Sequence, residues 1–279
     1  MTADPVMPAA EANRGAAGVA GSSNPGGTTW VVDLDGVIWL AGEPIRGSAE
    51  ALARLRSAGI RVVFATNNAG LARAGLLGML QAVGISTAPE DLVTSADAAA
   101  ALLGPSDRVV LCAGAGVREA LVRVGAQVVD EGPADAVVVG FTRDVTFEMI
   151  SVASSAARAG ARLIATNADP TYPTPSGLIP GAGAILAAVA TASGAEPIVA
   201  GKPNQPMARL LQETSGEISM VVGDRTTTDG RLAQALGVPF ALVRTGVTPP
   251  GAAAPPPEPS LDAPDLAALV DLALGGTPD

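Results

Sequence analysis

The chain contains no histidine in its 279 residues. That absence excludes Ser-His-Asp hydrolases, Cys-His proteases, HExxH metalloenzymes and most zinc sites, because each of them needs an imidazole. Any chemistry must therefore use carboxylates, hydroxyls, lysine and a hard metal ion. The chain has one cysteine, Cys112, which cannot form an internal disulfide. We expect it to be an inert core residue in a protein of the reducing cytoplasm.

Aromatic residues make up only 3% of the chain, against 48% for all hydrophobic residues, so the core must be mostly aliphatic. This composition predicts a globular protein with one large or two modest domains. The net charge of −10 argues against a nucleic-acid surface, which needs a basic stripe. No apolar run approaches the roughly twenty residues of a membrane span, and the N-terminus lacks the pattern of a secretory signal. We expect neither nucleic acid nor membrane as a partner.

Short apolar runs alternate with amphipathic stretches from residue 30 onwards. This alternation predicts an α/β doubly wound core with parallel strands that are buried on both faces. Residues 1–27, rich in Ala, Gly, Asn, Ser and Pro, predict a disordered tail. The segment 167–180 carries four prolines and predicts a non-regular loop, and 247–259 predicts an extended stretch. The predicted strands are 30–32, 60–65, 92–94, 109–112, 127–129, 136–139, 162–165, 218–222 and, as the last one, 238–243.

Two carboxylates stand at the end of the first apolar run. Asp33 and Asp35 lie two residues apart, and this spacing points both side chains to the same side of a strand. Like charges repel strongly away from water, and Mg²⁺, which takes carboxylate and backbone carbonyl oxygens, relieves that cost. The pattern is typical of a metal-assisted nucleophile. An ordinary acidic turn that ends in Gly36 stays open as the alternative for this stretch alone.

Further polar residues follow the ends of other predicted strands. Thr66 and Asn67 follow the second strand, and Asp224 and Asp229 follow the strand that ends at residue 222. Lys202 lies in a Gly-Lys-Pro sequence just ahead of a helix. Each of these residues alone is open to a structural interpretation as a turn residue, a helix-entry acid or a solvated lysine. Because strand ends converge on one crevice in a doubly wound sheet, the set together fits phosphoryl transfer.

Five segments, in this order and with this spacing, resemble the haloacid dehalogenase (HAD) superfamily phosphatases. The resemblance is to the class IIA group, which includes glycerol-3-phosphate phosphatases and 4-nitrophenylphosphatases, and it runs from about residue 30 to 275. It implies a Rossmann-like core with an inserted α/β cap domain of the C2 type. The segments are Asp-Leu-Asp-Gly-Val-Ile-Trp at 33–39, Thr-Asn-Asn at 66–68, Asn-Ala-Asp-Pro-Thr-Tyr-Pro at 167–173 with Gly-Leu-Ile-Pro-Gly at 177–181, Gly-Lys-Pro at 201–203 and Gly-Asp-Arg-Thr-Thr-Thr-Asp at 223–229.

The resemblance also implies roles for the acidic residues. Asp33 is the expected nucleophile, which forms an aspartyl-phosphate, and Asp35 is expected to protonate the leaving alcohol and then to activate water. Mg²⁺ is expected on the Asp33 side chain, the Asp35 backbone carbonyl and Asp224. Asp229 is expected to orient Lys202 or a water molecule on the metal. The residue chemistry agrees, since the metal lowers the proton affinity of the nucleophile while a neighbouring charge raises that of its partner.

The expected substrate contacts fall into two groups, one at the phosphate and one in the cap. Thr66 and Lys202 are expected to hold the phosphate, with help from the Asn67 backbone. The cap segment 167–180 is expected to set specificity, with Asp169 and Tyr172 facing the leaving group, although a proline-rich structural wrap is the alternative. The predicted substrate-binding residues are Thr66, Asn67, Asn68, Asp169, Tyr172 and Lys202.

Motif spacing selects the position of the inserted domain. Thr66 lies 33 residues after Asp33, whereas Lys202 lies 136 residues after Thr66, far more than one crossover needs. We therefore predict a tail at 1–27, a core at 28–103 and 197–279, and a cap at 104–196. Two positions depart from the family pattern: Thr227 replaces a frequent Asp, and Gly230 replaces an aliphatic residue, which is expected to loosen the following helix.

One glycine pair resembles a different motif. Gly114-Ala115-Gly116 follows a predicted strand as a dinucleotide fingerprint does, but Glu119 stands where the third glycine belongs. We interpret the pair as a tight turn.

The sequence thus predicts a cytoplasmic, Mg²⁺-dependent phosphomonoesterase for a small phosphorylated metabolite. Glycerol 3-phosphate is the leading substrate, followed by sugar phosphates, phosphoglycolate and 4-nitrophenyl phosphate. The alternative is a non-catalytic relative that binds phosphorylated ligands as a sensor. Caps of this group often help to form homodimers, and a homodimer through the cap is therefore an expectation.

Overall fold

The computed structural model describes residues 27–174 and 176–275. The tail predicted to be disordered, 1–27, lies outside the described residues except for Gly27. The strands are β1 (Thr29–Val32), β2 (Trp39–Leu40), β3 (Glu43–Pro44), β4 (Arg61–Thr66), β5 (Leu92–Thr94), β6 (Arg108–Cys112), β7 (Gln127–Val129), β8 (Ala136–Val139), β9 (Arg162–Ala165), β10 (Thr171–Thr174), β11 (Gly177–Pro180), β12 (Ile198–Val199), β13 (Ile218–Gly223), β14 (Phe240–Val243) and β15 (Leu261–Ala263). The α-helices are α1 (Ser48–Ser57), α2 (Arg73–Ala82), α3 (Ser95–Ala100), α4 (Ala115–Arg123), α5 (Phe147–Arg158), α6 (Ala182–Ser193), α7 (Gln205–Thr214), α8 (Arg231–Leu236) and α9 (Leu266–Ala273).

The main sheet has six parallel strands in the spatial order β15-β14-β13-β1-β4-β5. One face packs against α1, α2 and α9, and the other packs against α3, α7 and α8. Because helices cover both faces, β1 is buried along its whole length and apolar from Trp30 to Val32. The predicted doubly wound α/β core is confirmed. From β1 the chain continues to β4 and β5 on one side, and from β13 it continues to β14 and β15 on the other side. The ligand crevice of such a sheet lies between the carboxyl ends of β1 and β13.

A second parallel sheet, with the order β12-β9-β8-β6-β7, is inserted between β5 and β13. Helices α5 and α6 cover one face. Helix α4 covers the other, in an apolar cluster that continues into α3 of the main core. Strand β12 joins this sheet, which therefore extends past the predicted cap boundary at residue 196. Cys112 is fully buried in β6, and burial raises the pKa of its thiol to about 11, so the thiol is neutral.

Two sequence-based expectations about irregular segments are wrong. The proline-rich segment 167–180 contains the antiparallel hairpin β10–β11. A two-stranded hairpin has only edge strands, so Pro173 and Pro180 can lie where no backbone N–H is needed. Strand β14 is not the last one, because the three-residue strand β15 pairs with it in parallel. No helix within the described part of the chain combines the length and the apolar character that a membrane span requires.

Candidate active site

The carboxyl ends of β1 and β13 bring two acidic residues together at the switch point of the main sheet. Asp33 follows β1 directly, and its N–H donates to the Val222 carbonyl oxygen at 3.0 Å, which continues the β1–β13 ladder by one residue. Asp224 follows β13 and is buried. The side chains of Asp33, Asp224 and Asp229 each place an oxygen within 4.8 Å of the others. The pairing of β1 with β13 therefore brings together acidic residues that are far apart in the sequence.

Lys202, the single lysine of the chain, lies between two of these carboxylates. Its Nζ is 2.7 Å from Asp33 Oδ1 and 2.7 Å from Asp229 Oδ1, and its side chain is only 3% exposed. Burial alone would lower the pKa of the ammonium group, but the charges of Asp229 and Asp33 outweigh burial and raise it. Lys202 is therefore a fixed positive charge beside Asp33.

The acidic cluster fits a hard divalent cation. Burial raises the pKa of Asp33 well above its usual value, and burial together with the Asp229 charge raises the pKa of Asp224 to about 6. Burial and the repulsion between the carboxylates therefore outweigh the attraction of Lys202. Carboxylate oxygens at this separation are the ligands that Mg²⁺ takes, and a second positive charge would reduce the repulsion between the carboxylates.

Two glycines permit the close approach of loops to Asp224. A Cβ at Gly36 or Gly246 would lie 2.5 Å or 2.0 Å from Asp224 Oδ2, so any side chain there would displace the carboxylate. The same oxygen accepts a hydrogen bond from Val247 N at 2.6 Å. Gly36 also has φ +83°, a conformation that side chains rarely adopt. The turn after Asp35 and the loop after β14 therefore fix the orientation of Asp224.

Asp35 has a different environment from Asp33. Its Oδ1 accepts a hydrogen bond from Trp39 Nε1 at 3.0 Å, so the indole orients the carboxyl group. Burial raises the pKa of Asp35 above its ordinary value. A carboxyl group with a raised pKa that faces a cavity holds its proton more readily than a surface acid does, as a general acid must.

Thr66 ends β4 on the opposite side of Asp33 from Asp224. Its Oγ1 accepts a hydrogen bond from Asn68 N at 3.0 Å, which shapes the loop that follows. Asn67 Nδ2 donates to the Lys202 backbone carbonyl at 3.1 Å. The phosphate-binding candidates thus come from two loops that contact each other directly.

The hairpin β10–β11 and the loop before it bring the two predicted cap residues to the same place. Asn67 Nδ2 donates to Asp169 Oδ2 at 3.3 Å, and Asn68 Nδ2 donates to the Tyr172 hydroxyl at 3.3 Å. The Tyr172 ring stacks on Phe141 with centroids 4.5 Å apart. Burial, followed by the charge of Asp35, raises the pKa of the phenol, so the hydroxyl is protonated.

Most of these groups surround one cavity of about 240 Å³. Of the predicted site residues, only Asp229 does not line it, since it lies underneath and contacts Lys202. Sequence reasoning missed several further residues of the cavity wall. Arg225 could have been predicted, because it directly follows Asp224 within a matched motif. Nothing in the sequence indicated that the apolar residues line the cavity. The missed residues include Leu40, Ala41, Phe141, Arg225, Gly246 and Val247.

The structure also accounts for the departure at Gly230. A Cβ there would lie 2.9 Å from Pro257 Cγ and 3.2 Å from a Phe240 ring carbon, so the usual aliphatic residue has no room. Thr226–Gly230 form a short π-helical turn before α8 begins at Arg231. This turn places Asp229 under Lys202, where Asp229 Oδ2 also accepts a hydrogen bond from Thr228 Oγ1 at 3.2 Å.

Comparisons with known proteins agree with this architecture. A family model described as haloacid dehalogenase-like hydrolase matches residues 30–127, and a HAD-hydrolase-like model matches residues 199–269. A D-glycerol 3-phosphate phosphatase from Mycobacterium tuberculosis is 38% identical over 224 residues, which cover 78% of this chain and 63% of that protein. A dihydroxyacetone phosphatase from Corynebacterium glutamicum is 34% identical over 79% of this chain and 82% of its own length.

A solved structure shows the same fold. The glycerol phosphate phosphatase from Mycobacterium tuberculosis in complex with magnesium superimposes with a TM-score of 0.78 and 33% identity, covering 87% of this chain and 77% of that one. This superposition covers 87% of the chain and therefore includes both parallel sheets. The chain belongs to the haloacid dehalogenase-like hydrolases, and its relatives place it among the phosphatases of that family.

Proposed function

We propose that the protein is a Mg²⁺-dependent phosphomonoester hydrolase that acts through an aspartyl-phosphate, with glycerol 3-phosphate as its leading substrate. The observation that carries the proposal is the pairing of Lys202 with Asp33 beside Asp224, beneath a small cavity. A carboxylate next to a fixed positive charge can attack phosphorus while that charge stabilises the phosphoryl oxygens.

In the first step, an Asp33 carboxylate oxygen attacks the phosphorus atom. The bond between phosphorus and the leaving oxygen breaks, and Asp35 donates its proton to that oxygen, which leaves as an alcohol. Burial favours the protonated form of Asp35 before the reaction, and the Trp39 indole orients its carboxyl group. The product of this step is phosphorylated Asp33 with an ionised Asp35.

In the second step, Asp35 takes a proton from a water molecule whose oxygen attacks the phosphorus. The bond between phosphorus and Asp33 breaks, which releases inorganic phosphate and regenerates both carboxyl groups. The acid of the first step thus becomes the base of the second.

Lys202 and Thr66 are proposed to hold the phosphoryl oxygens in both steps, with Asp229 fixing Lys202 through its 2.7 Å contact. The residues that would hold Mg²⁺ are Asp33, Asp224 and the backbone carbonyl of Asp35. When bound, Mg²⁺ supplies positive charge that offsets the repulsion between the nucleophile and the phosphate.

The size of the cavity and the names of two relatives support a small leaving group, whereas other relatives are named acid sugar phosphatases. About 240 Å³ suits a three-carbon unit better than a large sugar or an aromatic ring. Asp169, Asn68 and Tyr172 offer polar atoms that can hydrogen-bond hydroxyl groups. The named substrates of the two relatives, glycerol 3-phosphate and dihydroxyacetone phosphate, are both three-carbon phosphates. Sugar phosphates, phosphoglycolate and 4-nitrophenyl phosphate rank behind them.

The test is phosphate release from a panel of these esters, with Mg²⁺ and with EDTA. We expect Mg²⁺-dependent release that is highest for a three-carbon ester and is lost in Asp33→Asn. Asp271→Asn, at the exposed ion pair with Arg54 between α1 and α9, is the matched control and should keep full activity. A folded protein that binds Mg²⁺ but releases phosphate from no ester would contradict the proposal and favour a sensor that binds phosphorylated ligands.

Two parts of the proposal concern the surroundings of the protein. We place it in the cytoplasm, which suits a chain whose single cysteine is buried. We also propose a homodimer through the inserted domain. Sedimentation of the purified protein checks the dimer, and a monomer at micromolar concentration would contradict it.

A further inference from the structure

The Gly114-Ala115-Gly116 segment, which resembles a dinucleotide motif only in part, has a different structural role. It begins α4, and this end of the helix packs on the loop 69–71 of the main core. A Cβ at Gly116 would lie 2.1 Å from the Leu71 carbonyl oxygen and 2.6 Å from the Ala69 carbonyl oxygen. Both are backbone atoms, so a side chain at position 116 would require the loop to move.

A second contact from α4 holds the far end of the same loop. Glu119 Oε2 accepts a hydrogen bond from Arg73 N at 3.0 Å, at the first residue of α2. The residue before it, Ala72, has no side chain that could cap the helix. A carboxylate from the inserted domain therefore supplies the N-terminal cap of a core helix, and favours it further through the helix dipole.

The loop between these two contacts continues directly from the candidate phosphate site. Asn68 N donates to Thr66 Oγ1 at 3.0 Å, and Gly70 N donates to Asn68 Oδ1 at 3.2 Å. Asn68 also donates to the Tyr172 hydroxyl in the cavity wall. Because these bonds follow one another along five residues, a displacement of 69–71 is transmitted to Thr66 and Asn68.

We propose that Gly116 and Glu119 are positioning residues. They fix the position of the phosphate-binding loop 66–71 by letting it pack closely against α4. The inserted domain would then contribute to phosphate binding from behind the loop as well as from the cavity side. The inference rests on the proposed function, since it assumes that Thr66 binds the substrate phosphate. Helices α3 and α4 pack in one apolar cluster, which holds α4 in place against the main core.

Gly116→Ala is the first test, with inorganic phosphate as the probe. We expect phosphate binding by calorimetry, in the presence of Mg²⁺, to weaken about tenfold, because sub-ångström displacements of binding groups are costly. KM should rise with it. Mg²⁺ affinity should stay unchanged, since the metal candidates follow β1 and β13. The matched control is Gly78→Ala in α2, where a Cβ meets nothing within 4 Å, and it should change neither affinity.

Glu119 gives a second test that does not depend on how well Gly116→Ala folds. Glu119→Ala removes the acceptor for Arg73 N and should weaken phosphate binding several-fold, whereas Glu119→Gln keeps an oxygen acceptor and should restore it. Wild-type phosphate affinity in both Gly116→Ala and Glu119→Ala would overturn the inference, and so would an equal loss of phosphate and Mg²⁺ affinity. Calorimetry needs no turnover, so a wild-type protein that binds phosphate but hydrolyses no ester would contradict only the proposed function.

Discussion

Lowering the pH from about 7.5 to about 5 should weaken Mg²⁺ binding about tenfold, because Asp224 must lose its proton to bind the metal. In the metal-free protein the pKa of this carboxyl group is about 6, raised by burial and by the Asp229 charge. It is then roughly 97% ionised at pH 7.5 and roughly 9% ionised at pH 5, which corresponds to about 1.4 kcal/mol of binding free energy. The raised pKa of Asp33 acts in the same direction.

Isothermal titration calorimetry with MgCl₂ measures this change directly. Near pH 6 the binding of each Mg²⁺ should release about half a proton from Asp224, which is visible as a dependence of the heat on the buffer. An apparent Kd that is the same at both pH values would refute the assignment of Asp224 as a buried metal ligand. Asp91, which pairs with Arg61 away from the site, gives the matched control: Asp91→Asn should keep the pH dependence.

The same pKa fixes the sign of the pH effect on the stability of the metal-free protein. The folded state holds the Asp224 proton more tightly than the unfolded state, whose pKa is close to the ordinary value, so this stability is present below about pH 6 and is lost above it. In EDTA, Asp224 should make the free energy of unfolding about 1.4 kcal/mol larger at pH 5 than at pH 7.5. With Mg²⁺ present the order should reverse.

Three further variants test other parts of the site. Lys202→Met leaves the Asp33 and Asp229 carboxylates without their cation and should lower the free energy of unfolding in EDTA by about 3 to 5 kcal/mol. Arg54→Met, at the exposed ion pair with Asp271, should cost under about 1 kcal/mol, and urea denaturation measures both. Asp169→Asn removes a negative charge that repels acidic leaving groups. The ratio of kcat/KM for phosphoglycolate to kcat/KM for glycerol 3-phosphate should therefore rise about tenfold. An unchanged ratio would show that Asp169 does not face the leaving group. Gly246→Ala should weaken Mg²⁺ binding at least about tenfold, since its Cβ would displace Asp224 Oδ2, and calorimetry with unchanged affinity would contradict that contact.

The parallel core could be predicted from the sequence because its strands are buried on both faces and therefore consist of unbroken apolar runs. Val62 to Ala65 and Val221 with Val222 are examples. The hairpin in 167–180 could not, since its prolines and polar residues are typical of a loop. Only the pairing of 171–174 with 177–180 in the folded chain makes it a hairpin. Strand β15 was missed for a similar reason: Leu-Asp-Ala has no β pattern of its own and is a strand because β14 offers a free edge.

The acidic cluster could be anticipated because strand ends converge in a doubly wound sheet, which brings Asp33 and Asp224 together regardless of their separation in sequence. The apolar cavity wall could not. Phe141 and Leu40 carry no signal of their role, since their positions depend on how the inserted domain and the β2–β3 hairpin pack over the site. The contact of Gly116 with the Leu71 carbonyl oxygen could not be predicted either, because it also depends on how the inserted domain packs on the core.

The central claim is that Asp33 becomes phosphorylated, and mass spectrometry of the Asp35→Asn variant tests it most directly. This variant should still transfer phosphate from an activated ester, such as 4-nitrophenyl phosphate, to Asp33, but it lacks the base that hydrolyses the intermediate. After acid quenching, the peptide that contains Asp33 should carry the mass of one phosphoryl group, and the Asp33→Asn/Asp35→Asn double variant should not. Release of 4-nitrophenol by Asp35→Asn with no phosphorylated peptide at any quench time would contradict the account.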